Sequence, residues 1–182
     1  MAKRVSSIYG DALFELAIEE ERVDDFYEEV KGIAQILEEN KELLSLLAHP
    51  EINKEEKIAI VKDVFTGNVS EEITGFLCII VEKDRYNDIP AILAHFIERA
   101  KEYKKIGTAS VTSATELSSV QKKKLEQRLL ETTRYTSFEV EYHVDPSILG
   151  GLVIRIRNRV MDSSLKTQIE KLGKGLSKIS LS

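Results

Sequence analysis

One cysteine, three prolines, three histidines and no tryptophan are all that this 182-residue chain holds of those four types. With Cys78 alone, an internal disulfide is excluded and a reducing compartment fits. The longest uninterrupted apolar run, Phe76 to Val81, is far shorter than the ~20 residues that cross a bilayer, so no direct membrane insertion is expected. Met1-Ala2-Lys3-Arg4 is basic, yet no hydrophobic signal region follows it, and the expected residence is the cytosolic side.

Residues equipped for chemistry are equally scarce. His49, His95 and His143 stand far apart, and none has Cys or His at metal-ligand spacing, so neither metal nor cofactor is expected. Cys78 sits inside an apolar helical run, where a buried thiol has a raised pKa and is inert. No glycine-rich loop precedes Lys-Ser or Lys-Thr, and Gly173-Lys174-Gly175 has no strand before it. Asn68-Val69-Ser70 matches a glycosylation acceptor but lacks a secretion signal to go with it. Lys122 to Lys124 and Arg155, Arg157 and Arg159 lack interleaved aromatics in a chain of net charge −5, so nucleic acid is not an expected partner.

What is present is helical periodicity, from Val5 to Tyr103. Val5, Ile8/Tyr9, Ala12/Leu13 and Leu16 form one apolar stripe; Val23, Phe26/Tyr27, Val30, Ile33/Ala34 and Leu37 form the next. Asn40 opens a short leucine-rich helix that Pro50 stops, and Asn53 with Glu56 resembles a capping box. Ser70 opens a fifth helix and Asp88 precedes a sixth. Six amphipathic helices with short polar links read as an all-α bundle.

Near Ile106-Gly107 the period changes. Thr108 to Ala114 reads as a strand, Ser118-x-x-Gln121 as a helix start, and Phe138, Val140, Tyr142 and Val144 alternate with polar residues as a second strand. Asp145-Pro146-Ser147 is a turn, Gly150-Gly151 a place where the backbone can bend, and Leu152 to Arg157 a half-buried strand. Asp162, Ser163 and Ser164 are helix-capping residues, and Leu165, Ile169, Leu172 and Leu176 line one face of a last helix. The expected class is therefore α+β: a six-helix bundle over residues 1–105, then a small β-α-β-β-α domain over 106–182. Charge divides at the same place: 14 Lys/Arg against 23 Asp/Glu give −9 before residue 106, and 12 against 8 give +4 after it. Opposite signs suggest two surfaces with different partners.

The Asp145–Ser147 turn, the Gly150-Gly151 pair, the Leu152–Arg157 strand and the Met161-Asp162-Ser163-Ser164 step together resemble the signature of the ATP synthase delta subunit family, called the oligomycin-sensitivity-conferring protein in mitochondria. Ser163 and Arg157-Asn158 depart from it, since that family usually has Gly at the first place and Gly-Asp at the second. Tyr9-x-x-Ala12-Leu13 and Arg85-Tyr86-Asn87-x-Ile89-Pro90 also resemble family positions. The resemblance covers the whole chain. It implies a non-catalytic stator subunit of a bacterial F-type ATP synthase, in single copy within a hetero-oligomeric complex, on the cytoplasmic face of the plasma membrane. It implies two partners as well: the alpha subunit N-terminus on the bundle and the peripheral-stalk b subunit on the C-terminal domain.

In that family a groove between helices one and five receives an amphipathic helix of the alpha subunit. Here the fifth helix is apolar around nearly all its circumference, wider than the ~100° stripe a surface helix needs. Tyr9, Ala12 and Leu13 with Phe76, Ile79 and Ile80 are the expected groove residues; Gly150, Gly151, Asp162 and Ser164 are the signature positions. Two other readings stand beside this one. A generic helical adaptor leaves the Gly-Gly stretch unexplained. A small enzyme would have to bring Arg155, Asp162 and His143 together.

Overall fold

A computed structural model describes residues 2–157 and 159–168, with side chains from Val5 onward. The chain divides into two units, Met1–Lys101 and Glu102–Ser182. Helices α1 (Ala2–Glu19), α2 (Val23–Glu39), α3 (Lys41–Leu47), α4 (Lys54–Phe65), α5 (Glu71–Glu82) and α6 (Ile89–Tyr103) come first. Then follow β1 (Ile106–Ser113), α7 (Ser119–Thr132), β2 (Ser137–Val144), β3 (Leu152–Ile156) and β4 (Arg159–Asp162).

The bundle forms because each helix carries an apolar stripe. Phe26, Tyr27, Val30, Ile33 and Leu37 of α2, Val61 and Phe65 of α4, Ile73, Leu77, Ile80 and Val81 of α5, and Ile92, Leu93 and Phe96 of α6 are all buried. Asn53 accepts from the Glu56 backbone N–H at 2.8 Å and Glu56 accepts from the Asn53 N–H at 3.3 Å, a complete capping box. Two other capping expectations need correction. Asn40 makes no side-chain cap to α3; its amide donates to the Ile36 carbonyl at 2.9 Å, closing the end of α2. Ser70 stands at the N-cap of α5 but makes no side-chain cap bond, because its hydroxyl and its backbone N–H both donate to Glu29 of α2, each at 2.7 Å. A carboxylate from a distant helix takes the capping role, favoured by the positive end of the helix dipole.

The second unit is a four-stranded sheet in the order β2-β1-β3-β4. Strands β1 and β2 are parallel and joined through α7; β3 is antiparallel to both β1 and β4. Ser118 and Gln121 form the expected capping box for α7. Leu129 and Ile148 join Ala109 and Val111 in a core much smaller than that of the bundle. Strand β4 is an addition to the sequence expectation. It has four residues, all exposed, with Arg159 and Asp162 at its ends, so it shows no alternation that a sequence reading could find. The last helix is visible over residues 165–168; Ile169, Leu172, Leu176 and the Gly173-Lys174-Gly175 stretch lie outside the described residues, as does Asn158.

Candidate functional site: an apolar groove between α1 and α5

Helix α1 is apolar on two faces, and the structure corrects which of them is buried. Leu13, Phe14 and Ala17 lie in the core together with Gly10, so of the expected Val5, Ile8/Tyr9, Ala12/Leu13 and Leu16 stripe Leu13 is buried while Ile8 and Ala12 turn outward. Helix α6 fixes this rotation. A Cβ on Gly10 would stand 2.7 Å from Cδ2 of His95 and 3.1 Å from the Ile92 carbonyl oxygen, so the two helices touch backbone-close at this glycine. One turn of contact further, Asp11 Oδ1 lies 3.0 Å from His95 Nε2 and 3.1 Å from Arg99 Nε, while the Arg99 guanidinium sits 5.4 Å from the Phe14 ring centroid.

Pinned on that side, α1 turns its other apolar face outward. Ile8 is 61% exposed, Ala12 is exposed, and Tyr9 and Leu16 are half-buried. Helix α5 does the same: Ile79 is 50% exposed and Phe76 half-buried, above a fully buried Ile73, Leu77 and Ile80. Tyr9 and Phe76 meet edge to face, with ring centroids 6.4 Å apart. The geometry thus brings Tyr9, Ala12, Phe76 and Ile79 to one surface. Leu13 and Ile80, at 1% and 0% exposure, belong beneath it as core. Sequence reading missed Ile8 and Gly75; the latter is exposed, and a Cβ there would meet open space. The signal was available, since α5 has more apolar surface than the bundle can bury and α1 has two apolar stripes instead of one.

The remaining nominated residues do not converge on chemistry. His49 accepts from the Glu51 N–H at 3.3 Å within a turn, and His143 lies exposed on β2 beside Glu141. Burial pushes the half-buried Cys78 thiol above its ordinary pKa, with Lys62 opposing the shift, the reverse of what activates a nucleophile. Arg155, Asp162 and His143 share one face of the sheet, but His143 on β2 and Asp162 on β4 are three strand spacings apart. That is about 14 Å at 4.8 Å per strand, too far for a shared reacting atom. Among the described residues no group of three or more His, Cys, Asp or Glu is placed to hold a metal ion.

The signature residues are architectural. Gly151 has φ +79°, and a Cβ on it would collide with the Ser163 carbonyl oxygen. The Gly150 carbonyl accepts from the Leu165 N–H at 2.9 Å and the Leu152 carbonyl from the Ser163 N–H at 2.9 Å. Asp162 accepts from the Ser164 N–H and the Thr167 hydroxyl, and Ser164 accepts from the Thr167 N–H as helix cap. Arg157, where the resembled family has glycine, does adopt φ +49° in the turn between β3 and β4, and its guanidinium donates to Glu102 at 2.8 Å.

The described residues thus form a helical unit with an exposed apolar strip on α1 and α5, followed by a small mixed sheet domain. Comparison with known proteins makes this specific. Residues 5–176 match the family described as ATP synthase delta (OSCP) subunit. The ATP synthase subunit delta of Lachnoclostridium phytofermentans is 50% identical over 181 residues, covering 100% of both chains. That of Desulforudis audaxviator is 37% identical over 168 residues, 92% of each. A chain in the cryo-EM structure of the Toxoplasma gondii mitochondrial ATP synthase hexamer superposes with a TM-score of 0.73 over 94% of this chain and 96% of its own, at 16% identity, which shows a shared fold. The chain belongs to the ATP synthase delta (OSCP) subunit family. It is accordingly a structural stator component of a rotary ATP synthase and does not itself catalyse a reaction.

Proposed function

We propose that the bundle holds the synthase head and the sheet unit holds the stalk, so that the chain transmits the reaction to rotor torque while the head stays still. The observation that carries the first half is the α1/α5 groove. Its exposed Ile8, Ala12 and Ile79 flank the half-buried Tyr9 and Phe76, a strip suited to an amphipathic helix with anchors at i, i+3, i+4 and i+7. The N-terminal helix of the alpha subunit is the occupant. Ala12 lets a helix approach closely, and the Tyr9 hydroxyl serves the rim.

For the second half, the sheet unit offers a cleft of about 940 Å³ between α7 and strands β3 and β4. Leu125, Leu129, Ile154, Ile156 and Met161 supply apolar surface there, with Arg128, Arg134, Arg157 and Arg159 around it. An apolar surface ringed by arginine fits an acidic amphipathic segment, and the b subunit of the peripheral stalk is its source in this reading. Among the described residues no helix is long and apolar enough to cross a membrane. The chain then reaches the cytoplasmic face of the plasma membrane through these two partners.

The test is titration of the full chain with a synthetic peptide of the alpha N-terminus. Ile79→Asp should keep the wild-type circular dichroism, because Ile79 is half-exposed, yet lose most of the peptide affinity by burying an unpaired charge. Leu77→Asp, at a position 1% exposed, should unfold the bundle. An Ile79→Asp chain that binds the peptide as wild type does would move the contact away from this groove.

A further inference from the structure

The groove is not electrically uniform along its length. On α5 its stripe reads Glu72, Phe76, Ile79, Lys83, at steps of four, three and four, so an acidic residue precedes the apolar pair and a basic residue follows it. On α1 the outward stripe runs Tyr9, Ala12, Leu16 and then Glu19, which is exposed and leads into Glu20 and Glu21. Two contacts orient the helices. Tyr9 meets Phe76, whereas Arg22, just past the end of α1, meets Glu72 at 3.5 Å. Moving up α1 is therefore moving down α5, and the acidic end of one stripe faces the acidic end of the other. Glu19 and Glu72 stand at one end of the groove and Lys83 at the opposite end. Beside Lys83 stand Asp84, engaged by Lys54 at 2.6 Å, and the exposed Glu82, so that end is near neutral and the Glu19/Glu72 end is the strongly charged one.

We propose that the groove reads the charge polarity of the helix it holds: it accepts an amphipathic helix with its cationic residues at the Glu19/Glu72 end and its anionic residues away from it. This rests on the reading of the groove as a helix seat and adds the direction in which that helix lies. Eleven residues of helix separate Glu72 from Lys83, about 16 Å at 1.5 Å per residue. That exceeds the ~8 Å Debye length at physiological salt. Each end therefore acts on the helix residues nearest to it, and a helix laid in reverse brings its anionic residues to the acidic end. Arg22 offsets one carboxylate at the acidic end, and the positive pole of α5 offsets about half a charge more. Glu19, Glu20, Glu21, Glu71 and Glu72 together outweigh both. The apolar stripe supplies affinity without direction, because Phe76 and Ile79 accept aliphatic side chains from either sense. Direction comes from the acidic end.

The probe is an 18-residue synthetic helical peptide with leucines along one face, lysines flanking its first turn, glutamates flanking its last, and a nitroxide beside the lysines. Added to isotope-labelled full chain, it should broaden the backbone amides of residues 18–20 and 72, and leave those of residues 82–83 sharp. A Glu19→Lys/Lys83→Glu double variant, changed at two exposed positions, should bind the same peptide but lose much of its directional preference, with less broadening at residues 18–20 and 72 and more at residues 82–83 than in the wild type. In the wild type, broadening at the Lys83 end or equal broadening at both ends, or in the double variant a broadening pattern unchanged from the wild type, would overturn the proposed direction while leaving the groove as a helix seat. No binding of either peptide to the wild type would overturn the seat together with the direction.

Discussion

Gly151 packs with its α-carbon directly against the backbone of Ser163, at a φ of +79° that side chains of the L series seldom adopt. Both features oppose any larger residue. Gly151→Ala should therefore destabilise the sheet unit by roughly 2–4 kcal/mol, from strain and collision combined. Thermal unfolding followed by near-UV circular dichroism should show the tyrosines of residues 103–142 losing their signal earlier while the helical signal of the bundle holds.

Glu29 serves two donors of Ser70 at once, and removing it strands a half-buried backbone N–H at the start of α5. Glu29→Ala should cost about 1–3 kcal/mol. Ser70→Ala, which removes the hydroxyl and keeps the N–H bond, should cost less than half as much. Urea melts of the two variants give the order directly.

Tyr142 donates its hydroxyl to Glu126 at 2.9 Å, with the Lys122 ammonium 4.9 Å from its ring centroid. Burial, then the hydrogen bond and charge of Glu126, push its pKa from 10.0 up to about 12. The folded state thus holds this proton more tightly than the unfolded chain does. Its contribution to stability is complete below about pH 10 and is lost as pH rises toward 12. Spectrophotometric titrations of the wild type and of Tyr142→Phe should differ by one late-ionising tyrosine.

If the arginine-ringed cleft holds the proposed stalk segment, that binding should be sensitive to salt. Arg159→Glu, at an exposed position of β4, should weaken binding of the b subunit and flatten its dependence on ionic strength, and should leave binding at the α1/α5 groove unchanged. Calorimetry at low and high salt separates the two effects.

How much of this was legible in the sequence depends on how much of each element's pattern is set locally. Ile73, Leu77, Ile80 and Val81 mark the buried face of α5 without help from any neighbour, and Asn53/Glu56 and Ser118/Gln121 cap their helices through residues three apart. The rotation of α1 was not legible. Gly10 and Asp11 choose it by meeting His95 and Arg99 some 84 residues on, and nothing within α1 distinguishes its two apolar stripes. Ser70 follows the same rule, since its cap is Glu29, 41 residues away. Strand β4 is defined by pairing with β3 alone, and no apolar alternation announces it. For the groove, the surplus of apolar surface on α5 was readable, as were Leu13 facing the core and Ile79 standing off the stripe of Ile73, Leu77 and Ile80; the outward turn of Ile8 was not, because that follows from how α1 seats on α6.

Among the described residues the sheet ends at β2 on one side and β4 on the other, and both border strands leave backbone groups that could pair with a further strand. Glu139 and Glu141 alternate along β2, so a second copy adding there in antiparallel fashion would set carboxylate against carboxylate. Strand β4 is four residues long and begins and ends on a charge. A unit with so small a core opens more readily than the bundle, and each opening bares those borders to its neighbours. Short length on β4 and like charge on β2 oppose strand-to-strand pairing of copies at these borders.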